Sequence, residues 1–292
     1  MKFLFRLLAR LPLRANHALG ALAGLLAYWL SPRYRRRARE NLAASGLCGG
    51  PDDVGRLARA NASEIGKGVT ELAWALFRSD DAVAQVRDRF GWDAVERLRE
   101  GGRPIIFATP HLGSYDVAGR YLWKRLPILA MYRPHKIFWI DQLLREGRNT
   151  GAAPDGTNVA PATLAGVRMV LKHLRRGGCT VLLPDQVPGL GEGEWAPFFG
   201  RPAYTMTLLA RLQEASGAAI VFCFAERLPR GRGFDLHFEP LGAALPAGRA
   251  EAARAVNAMV EKLVRQCPSQ YLWGYNRYKR PAGAPPAPQA AP

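Results

Sequence analysis

Cysteine is scarce in this chain of 292 residues, and its four copies lie far apart in the sequence. None of them has the C-x-x-C spacing that a zinc site or a redox pair requires. Cys179 and Cys223 fall inside apolar runs, where a thiol packs like a small hydrophobic side chain. We therefore expect reduced core thiols in a cytosolic compartment, and no metal site.

The chain also lacks the short motifs that mark several classes of enzyme and binding protein. It has no glycine-rich loop of the Walker or dinucleotide type, so we expect no nucleotide cofactor. No G-x-S-x-G turn presents Ser114, which disfavours that residue as a nucleophile. Zinc spacing, an RNA-binding aromatic signature and a basic heptad region are missing as well, and we expect no nucleic-acid partner.

Acidic residues are few. The chain has 24 Asp and Glu against 41 Lys and Arg, a formal net charge of +17. Such a surface attracts phosphate, anionic lipid or an acidic protein. The imbalance is strongest in residues 1–40, where Glu40 is the single acidic residue. With nucleic acid disfavoured, the remaining partner classes are a membrane and an acidic protein.

Residues 15–30 form an uncharged apolar run between two clusters of basic residues. A membrane-spanning helix needs about 20 apolar residues, so the run is borderline. The flanking arginines bind anionic headgroups and mark the cytoplasmic side, and no small-residue cleavage site follows. We predict a membrane-associated segment at 1–45, as a short or tilted span or a helix lying in the interface. The alternative is a core helix followed by a solvated basic helix.

The rest of the sequence alternates between strand and helix patterns after a helical stretch at 51–78. Together these patterns predict an α/β domain at 46–281, with a mostly parallel sheet flanked by helices. The Pro/Ala-rich tail at 282–292 is expected to be disordered. The predicted strands are 104–109, 127–132, 179–184, 218–225 and 234–239, and the predicted helices are 115–124, 136–145, 161–176, 204–216 and 247–267.

His111 and Asp116 directly follow the predicted strand at 104–109. Open α/β sheets place their site residues at the carboxyl ends of strands. On one continuous helix, positions five apart point about 140° away from each other, so His111 must lie in the turn and Asp116 in the first helical turn. A carboxylate on one ring nitrogen leaves the other to accept a proton from an alcohol. We predict His111 as general base and Asp116 as its partner.

Several further motifs occur in a characteristic order. They are YRRRARENL at 34–42, HLGSYD at 111–116, MYRP at 131–134, Arg148, LPDQ at 183–186, PFFG at 197–200, SGA at 216–218 and QYLWGYNRYKRP at 270–281. With them the chain resembles, over about residues 5–281, the late acyltransferases of lipid A biosynthesis. These lauroyl and myristoyl transferases belong to the H-x4-D/E lysophospholipid acyltransferase superfamily.

The resemblance implies a glycerol-3-phosphate acyltransferase-like fold and catalysis by the dyad of His111 and Asp116. It also implies acyl-(acyl carrier protein) as donor, a glucosamine-disaccharide lipid as acceptor, and attachment to the cytoplasmic face of the bacterial inner membrane. The substrate-binding residues that it suggests are Arg133, Arg148, Asp185 and Gln186. Arginine's planar fork suits the phosphates of a lipid A precursor.

Two other functions stay open at this point. One is a glycerophospholipid, lysophosphatidate-type or other glycolipid acyltransferase with the same dyad. HLGSYD departs from the HxGNWE that is usual in the lipid A enzymes, and Asp is the commoner acid in glycerolipid acyltransferases. The other is a catalytically silent membrane-binding protein. The length of the acyl chain and a coenzyme A donor are not decided by the sequence.

Overall fold

The computed structural model describes residues 2–132, 159–189 and 191–288. The helices are α1 (Lys2–Arg10), α2 (Leu13–Leu30), α3 (Pro32–Ala44), α4 (Pro51–Phe77), α5 (Ser79–Ala84), α6 (Trp92–Glu100), α7 (Tyr115–Arg125), α8 (Leu164–Leu174), α9 (Leu208–Ser216) and α10 (Arg249–Gln266). The strands are β1 (Val86–Phe90), β2 (Ile105–Ala108), β3 (Ala130–Tyr132), β4 (Val159–Pro161), β5 (Cys179–Leu182), β6 (Gly193–Phe198), β7 (Arg201–Met206), β8 (Ala219–Arg227) and β9 (Phe234–Pro240).

Five strands form the central sheet in the order β1-β9-β8-β2-β5. Strand β2 runs parallel to both of its neighbours, and β1 runs parallel to β9. The pair β8 and β9 is antiparallel. The sheet is thus largely parallel and flanked by helices, which confirms the α/β class predicted from the alternating patterns.

The core lies in two layers, one on each face of this sheet. Because successive side chains of a strand point to opposite faces, Ile106 and Phe222 pack in one layer and Ile105 and Val221 in the other. Helices α8, α9 and α10 cover the first face, and α6 and α7 cover the second. Strands covered on both faces are apolar throughout, as the sequence of β2 shows.

A β-hairpin takes the place of part of the helix predicted at 204–216. Strands β6 and β7 pair antiparallel, and α9 begins only at Leu208. The hairpin turn places Phe199 at a φ of 46° and Gly200 at 72°. A left-handed Phe is uncommon, and here its buried ring packs 5.4 Å from that of Trp273. Tertiary packing stabilises this turn, which is why the local pattern did not predict it.

The predicted strand at 127–132 is shorter in the structure. Only Ala130–Tyr132 forms a strand, β3, and it pairs with β4 in a separate two-stranded sheet. Ile128 makes an isolated bridge to Cys179 at the edge of the central sheet. The segment therefore runs beside β5 and does not extend the sheet by a full strand.

Helix α2 packs lengthwise against α4. Glycines allow the two helices to approach closely. A Cβ on Gly24 would lie 2.0 Å from the carbonyl oxygen of Ala62, and a Cβ on Gly66 would clash with the main chain of Gly24. At the same interface His17 Nε2 lies 2.5 Å from Glu71 Oε1, with both side chains buried. Helix α2 is thus tied to α4 by packing and by a buried polar contact.

The outer face of α2 is exposed and apolar. None of the described helices combines the length and the hydropathy that a membrane span requires. Residues 15–30 run along the protein with one face buried and one exposed. The large apolar side chains on the exposed face are Leu19, Leu22, Leu26, Trp29 and Leu30.

Some predictions fall outside the described residues, namely the helix at 136–145 and the substrate contacts Arg133 and Arg148. Part of the Pro/Ala-rich tail lies against the hairpin. Trp195 Nε1 donates to Pro285 O at 3.0 Å, and Ala284 is buried. Residues 289–292 are again outside the described part of the chain.

Candidate active site

His111 lies in the turn between β2 and α7, at the carboxyl edge of the parallel strands. The turn requires glycine at position 113, where φ is 62° and a Cβ would lie 2.0 Å from Ala225 O. Main-chain bonds hold the turn on both sides, because Ser114 N donates to Ala225 O at 2.8 Å and Leu272 N donates to His111 O at 3.2 Å. The predicted position of His111 in a turn is confirmed.

Asp185 contacts His111 directly. It follows β5, the neighbour of β2, and its carboxylate is 3% exposed. Oδ1 lies 2.8 Å from His111 Nδ1, and Oδ2 accepts from the main-chain N–H of His111 at 2.9 Å. An ionised carboxylate only accepts hydrogen bonds, so Nδ1 carries the proton and Nε2 has the lone pair.

Gln186 meets the other side of the imidazole. Its Nε2 lies 3.0 Å from His111 Nε2, so the amide donates to the lone pair of the ring. The ring of Tyr115 packs edge-on against the imidazole at 5.3 Å. His111 is therefore held in one orientation and one tautomer, with its basic nitrogen occupied by a neutral group.

The surroundings keep Asp185 ionised although it is buried. Burial raises the pKa of this carboxyl, but the electrostatic interaction with the adjacent His111, its two hydrogen bonds and the cationic Arg277 outweigh burial and lower the pKa overall. Arg277 is itself buried and donates to Tyr204 O at 2.8 Å and to Thr205 Oγ1 at 2.7 Å. Arg277 thus supplies a positive charge close to the buried carboxylate.

A cavity of about 210 Å³ opens beside this pair. His111 and Asp116 both line it, and Asp116 lies in the first turn of α7. Helix α4 contributes an apolar wall that includes Ile65, Val69 and Leu72. An apolar wall next to a basic nitrogen suits a substrate that carries both a hydrocarbon chain and an ionisable hydroxyl.

The structure brings together four of the six predicted site residues: His111, Asp116, Asp185 and Gln186. Among the described residues, the imidazole nitrogens bond to Asp185 and Gln186. The role of Asp116 as partner of His111 stays a prediction. Within the same ranges, no group of three His, Cys, Asp or Glu side chains is arranged to hold a metal ion.

Sequence reasoning assigned Asp185 to substrate binding and did not single out Glu71, Arg227 or Gln270, which also line the cavity. One signal for Asp185 was available. Asp185 follows the apolar run at 179–184 as His111 follows that at 104–109, and parallel strands bring their carboxyl ends to one edge. A larger cleft of about 910 Å³, between α6, α9 and residues 240–247, contains none of the predicted site residues.

Comparison with known proteins identifies the family of this chain. A family model described as bacterial lipid A biosynthesis acyltransferase matches residues 2–280. The chain is 28% identical over 271 residues to the lipid A biosynthesis palmitoleoyltransferase of Escherichia coli K12, covering 91% of this chain and 85% of the relative. It is 26% identical over 282 residues to the lauroyltransferase of the same organism, covering 96% and 90%. The match runs through the His111 turn, the LPDQ segment and the N-terminal helices alike, so the chain belongs to the bacterial lipid A biosynthesis acyltransferases and is an acyltransferase.

Proposed function

We propose that the protein transfers a fatty acyl chain from an acyl-(acyl carrier protein) thioester to a hydroxyl group of a lipid A precursor, with His111 as general base. The observation that carries this proposal is the pairing of His111 with the buried carboxylate of Asp185. A carboxylate at Nδ1 fixes the tautomer and stabilises the imidazolium that forms during the reaction. Membership of the family supports lipid A as the acceptor in preference to a glycerophospholipid.

The proposed reaction begins when the acceptor hydroxyl replaces the Gln186 amide at His111 Nε2. The hydroxyl oxygen attacks the thioester carbonyl while its proton passes to Nε2, and a tetrahedral intermediate forms. When this intermediate collapses, the C–S bond breaks and the leaving thiolate takes the proton from the imidazolium. The products are the new ester and the free thiol of the donor, and His111 returns to its neutral state.

The two carboxylates near His111 have different proposed roles. Asp185 orients the imidazole, since it holds Nδ1 at 2.8 Å. The sequence-based proposal gives this role to Asp116, which lines the same cavity from the first turn of α7. Arg133 and Arg148, outside the described residues, remain proposed contacts of the acceptor phosphates.

The proposed donor is supported by a basic stripe formed by Arg168 and Lys172 on α8 and by Arg175 and Arg176, which directly follow this helix. Residues 156–184 contain no Asp or Glu, and among the described residues none of the four cations has an ion pair. Leu164, at the start of the same helix, is 74% exposed. A short helix that combines unpaired cations with an exposed apolar residue fits an acidic protein partner.

The proposed location is the cytoplasmic face of the bacterial inner membrane, reached through the exposed face of α2. Between Arg14 and Arg33 the exposed residues of this helix are all apolar. Its polar residues Asn16 and His17 are buried. An apolar stripe with arginines at both ends is the pattern of a helix that lies in the headgroup region of an anionic bilayer.

The test of this function is transfer by the purified protein in detergent micelles, with acyl-(acyl carrier protein) and a lipid A precursor. His111→Ala is expected to lower the rate by about 10²–10⁴-fold, because the general base is lost. His237→Ala, a histidine on β9 that does not line the cavity, is the matched control and should keep the normal rate. Mass spectrometry of the product identifies the acceptor, and acylated glycerophospholipid in its place would overturn the proposed substrate.

A further inference from the structure

Arg227 is a buried cation that has no part in the proton transfer described above. It ends strand β8, and its side chain is 3% exposed. Its guanidinium donates four hydrogen bonds, one of them from Nη1 to Gln270 Oε1 at 3.5 Å. Nε donates to Glu71 Oε1 at 2.7 Å, Nη1 donates to Glu64 Oε2 at 3.2 Å, and Nη2 donates to the carbonyl oxygen of Gly113 at 2.9 Å.

Gln270 completes the contacts around Gly113. The side chain of Gln270 bonds to both main-chain groups of Arg227, with Oε1 accepting from N at 2.9 Å and Nε2 donating to O at 3.0 Å. The carbonyl oxygen of Gln270 accepts from Gly113 N at 3.2 Å. Both polar main-chain groups of Gly113 are therefore bound by this pair, two residues after His111.

The charges in this cluster persist in the folded protein. Burial lowers the pKa of Arg227, but Glu71 and Glu64 outweigh burial and raise it overall. Burial raises the pKa of Glu71, but Arg227 and His17 outweigh burial and lower this pKa overall. A buried ion pair of this kind often contributes little net stability compared with apolar residues of similar volume. Its presence beside the catalytic turn calls for a role other than stability.

We propose that Arg227 is a positioning residue, which fixes the Gly113 peptide and through it the orientation of His111. Glu71 and Glu64 hold the guanidinium so that Nη2 points at the Gly113 carbonyl. The inference rests on the proposed role of His111 as general base. Misplacement of a reacting group by about 1 Å can lower a rate by about 10²-fold, so a rigid turn matters for kcat.

The first test is Arg227→Lys. Lysine keeps the charge, but its single ammonium group cannot reproduce the fork that reaches Glu71 and Gly113 together. We expect kcat to fall by about 10–100-fold, while KM for both substrates stays within about two-fold. Arg249→Lys, an exposed arginine paired with Glu194, is the matched control and should leave both constants unchanged.

The second test separates positioning from folding. Arg227→Met combined with Glu71→Leu removes both charges of the most buried pair, so no unpaired cation is left in the core. We expect this variant to melt near the temperature of the wild-type protein and still to show the loss of kcat. A folded variant with wild-type kcat would overturn the proposal, as would a loss of activity that only follows the unfolded fraction.

A readout independent of activity distinguishes this proposal from the proposed function. The proton that His111 Nδ1 shares with Asp185 is followed in the NMR spectrum of the ring-labelled protein, and His111→Ala identifies its signal. We expect Arg227→Lys to shift or broaden that signal and Arg249→Lys to leave it unchanged. An unchanged signal in Arg227→Lys would reject the positioning role. If the wild-type protein transfers no acyl group, the proposed function fails, but the NMR result still decides whether Arg227 orients His111.

Discussion

Asp185 and Asp116 differ in their distance from His111 along the chain. Asp116 is five residues away and belongs to the next helix, whereas Asp185 is 74 residues away and follows a neighbouring strand. Only a local pair is visible as a spacing in the sequence, and for that reason Asp116 was predicted as the partner. The contact of Asp185 with Nδ1 depends on β5 lying beside β2.

Exchange of each carboxylate for its amide is expected to separate their roles. Asp185→Asn should lower kcat by about 10²–10⁴-fold, because an amide no longer stabilises the imidazolium and favours the wrong tautomer. Asp116→Asn should leave the NMR signal of the His111 Nδ1 proton in place. Steady-state kinetics and that spectrum are the measurements. Normal kcat in Asp185→Asn together with loss of kcat in Asp116→Asn would give the partner role back to Asp116.

At the scale of elements, α8 is expected to control the affinity for the donor. Arg168→Glu with Lys172→Glu should raise KM for acyl-(acyl carrier protein) about 10-fold at low salt and change kcat little, because the docking of opposite charges is disturbed and not the chemistry. The effect should shrink at high salt, where exposed charges are screened over about 8–10 Å. Measurement of KM at low and at high ionic strength gives both the increase and its dependence on salt.

The matched control for α8 is Arg249→Glu with Arg254→Glu on the exposed side of α10, which makes the same change of charge on another helix. This control should leave KM close to the wild-type value. Equal increases of KM in the two double variants would mean that only the net charge of the protein matters. The acidic partner would then have no specific site on α8.

Helix α2 is expected to control attachment to the membrane. Leu22→Glu with Leu26→Glu places two charges on the exposed apolar face, and each leucine that no longer enters the bilayer gives up about 1.5–3 kcal/mol of transfer free energy. Sedimentation with vesicles containing phosphatidylglycerol should show binding weakened by at least about 10-fold. Met169→Glu, an exposed apolar residue on α8, is the control. Undiminished sedimentation of the double variant would exclude the α2 face as the attachment surface.

At the scale of the whole molecule, the N-terminal helices and the catalytic part share one core. The sequence predicts a boundary near residue 45, between a membrane-associated segment and the α/β domain. In the structure, however, α2 covers the glycine-lined face of α4, and Asn41 Nδ2 donates to Trp273 O at 2.8 Å. The predicted boundary therefore crosses a packed interface.

We expect a protein that begins at residue 51 to be markedly less stable than the complete chain. It lacks His17, the partner of the buried Glu71, and it exposes the face of α4 that α2 covers. A buried carboxylate that loses a partner destabilises the fold by several kcal/mol. Thermal melting and transfer assays in micelles measure the effect. Equal melting temperatures and equal rates for both proteins would establish residues 1–50 as a detachable anchor.

The α/β class, the positions of β2, β5 and β8, and the place of His111 at the end of a strand could all be predicted from the sequence. These features are local. Each follows from the spacing of apolar residues along a few turns or strand positions and from the turn residues that end them. The family could also be recognised from the sequence, because the order of the short motifs, including the one around His111, can be read without knowing the fold.

Which side chains contact each other depends on the tertiary fold. The strand order β8-β2-β5 sets Asp185 on the imidazole, and the contacts of Arg227 join β8, α4 and the His111 turn. The close packing of α2 on α4 decides that one apolar face of the helix is buried and the other remains exposed. Such contacts join positions far apart in the chain. Their free energy comes from burial and from ion pairs and hydrogen bonds, which cannot be predicted from a local pattern of residues.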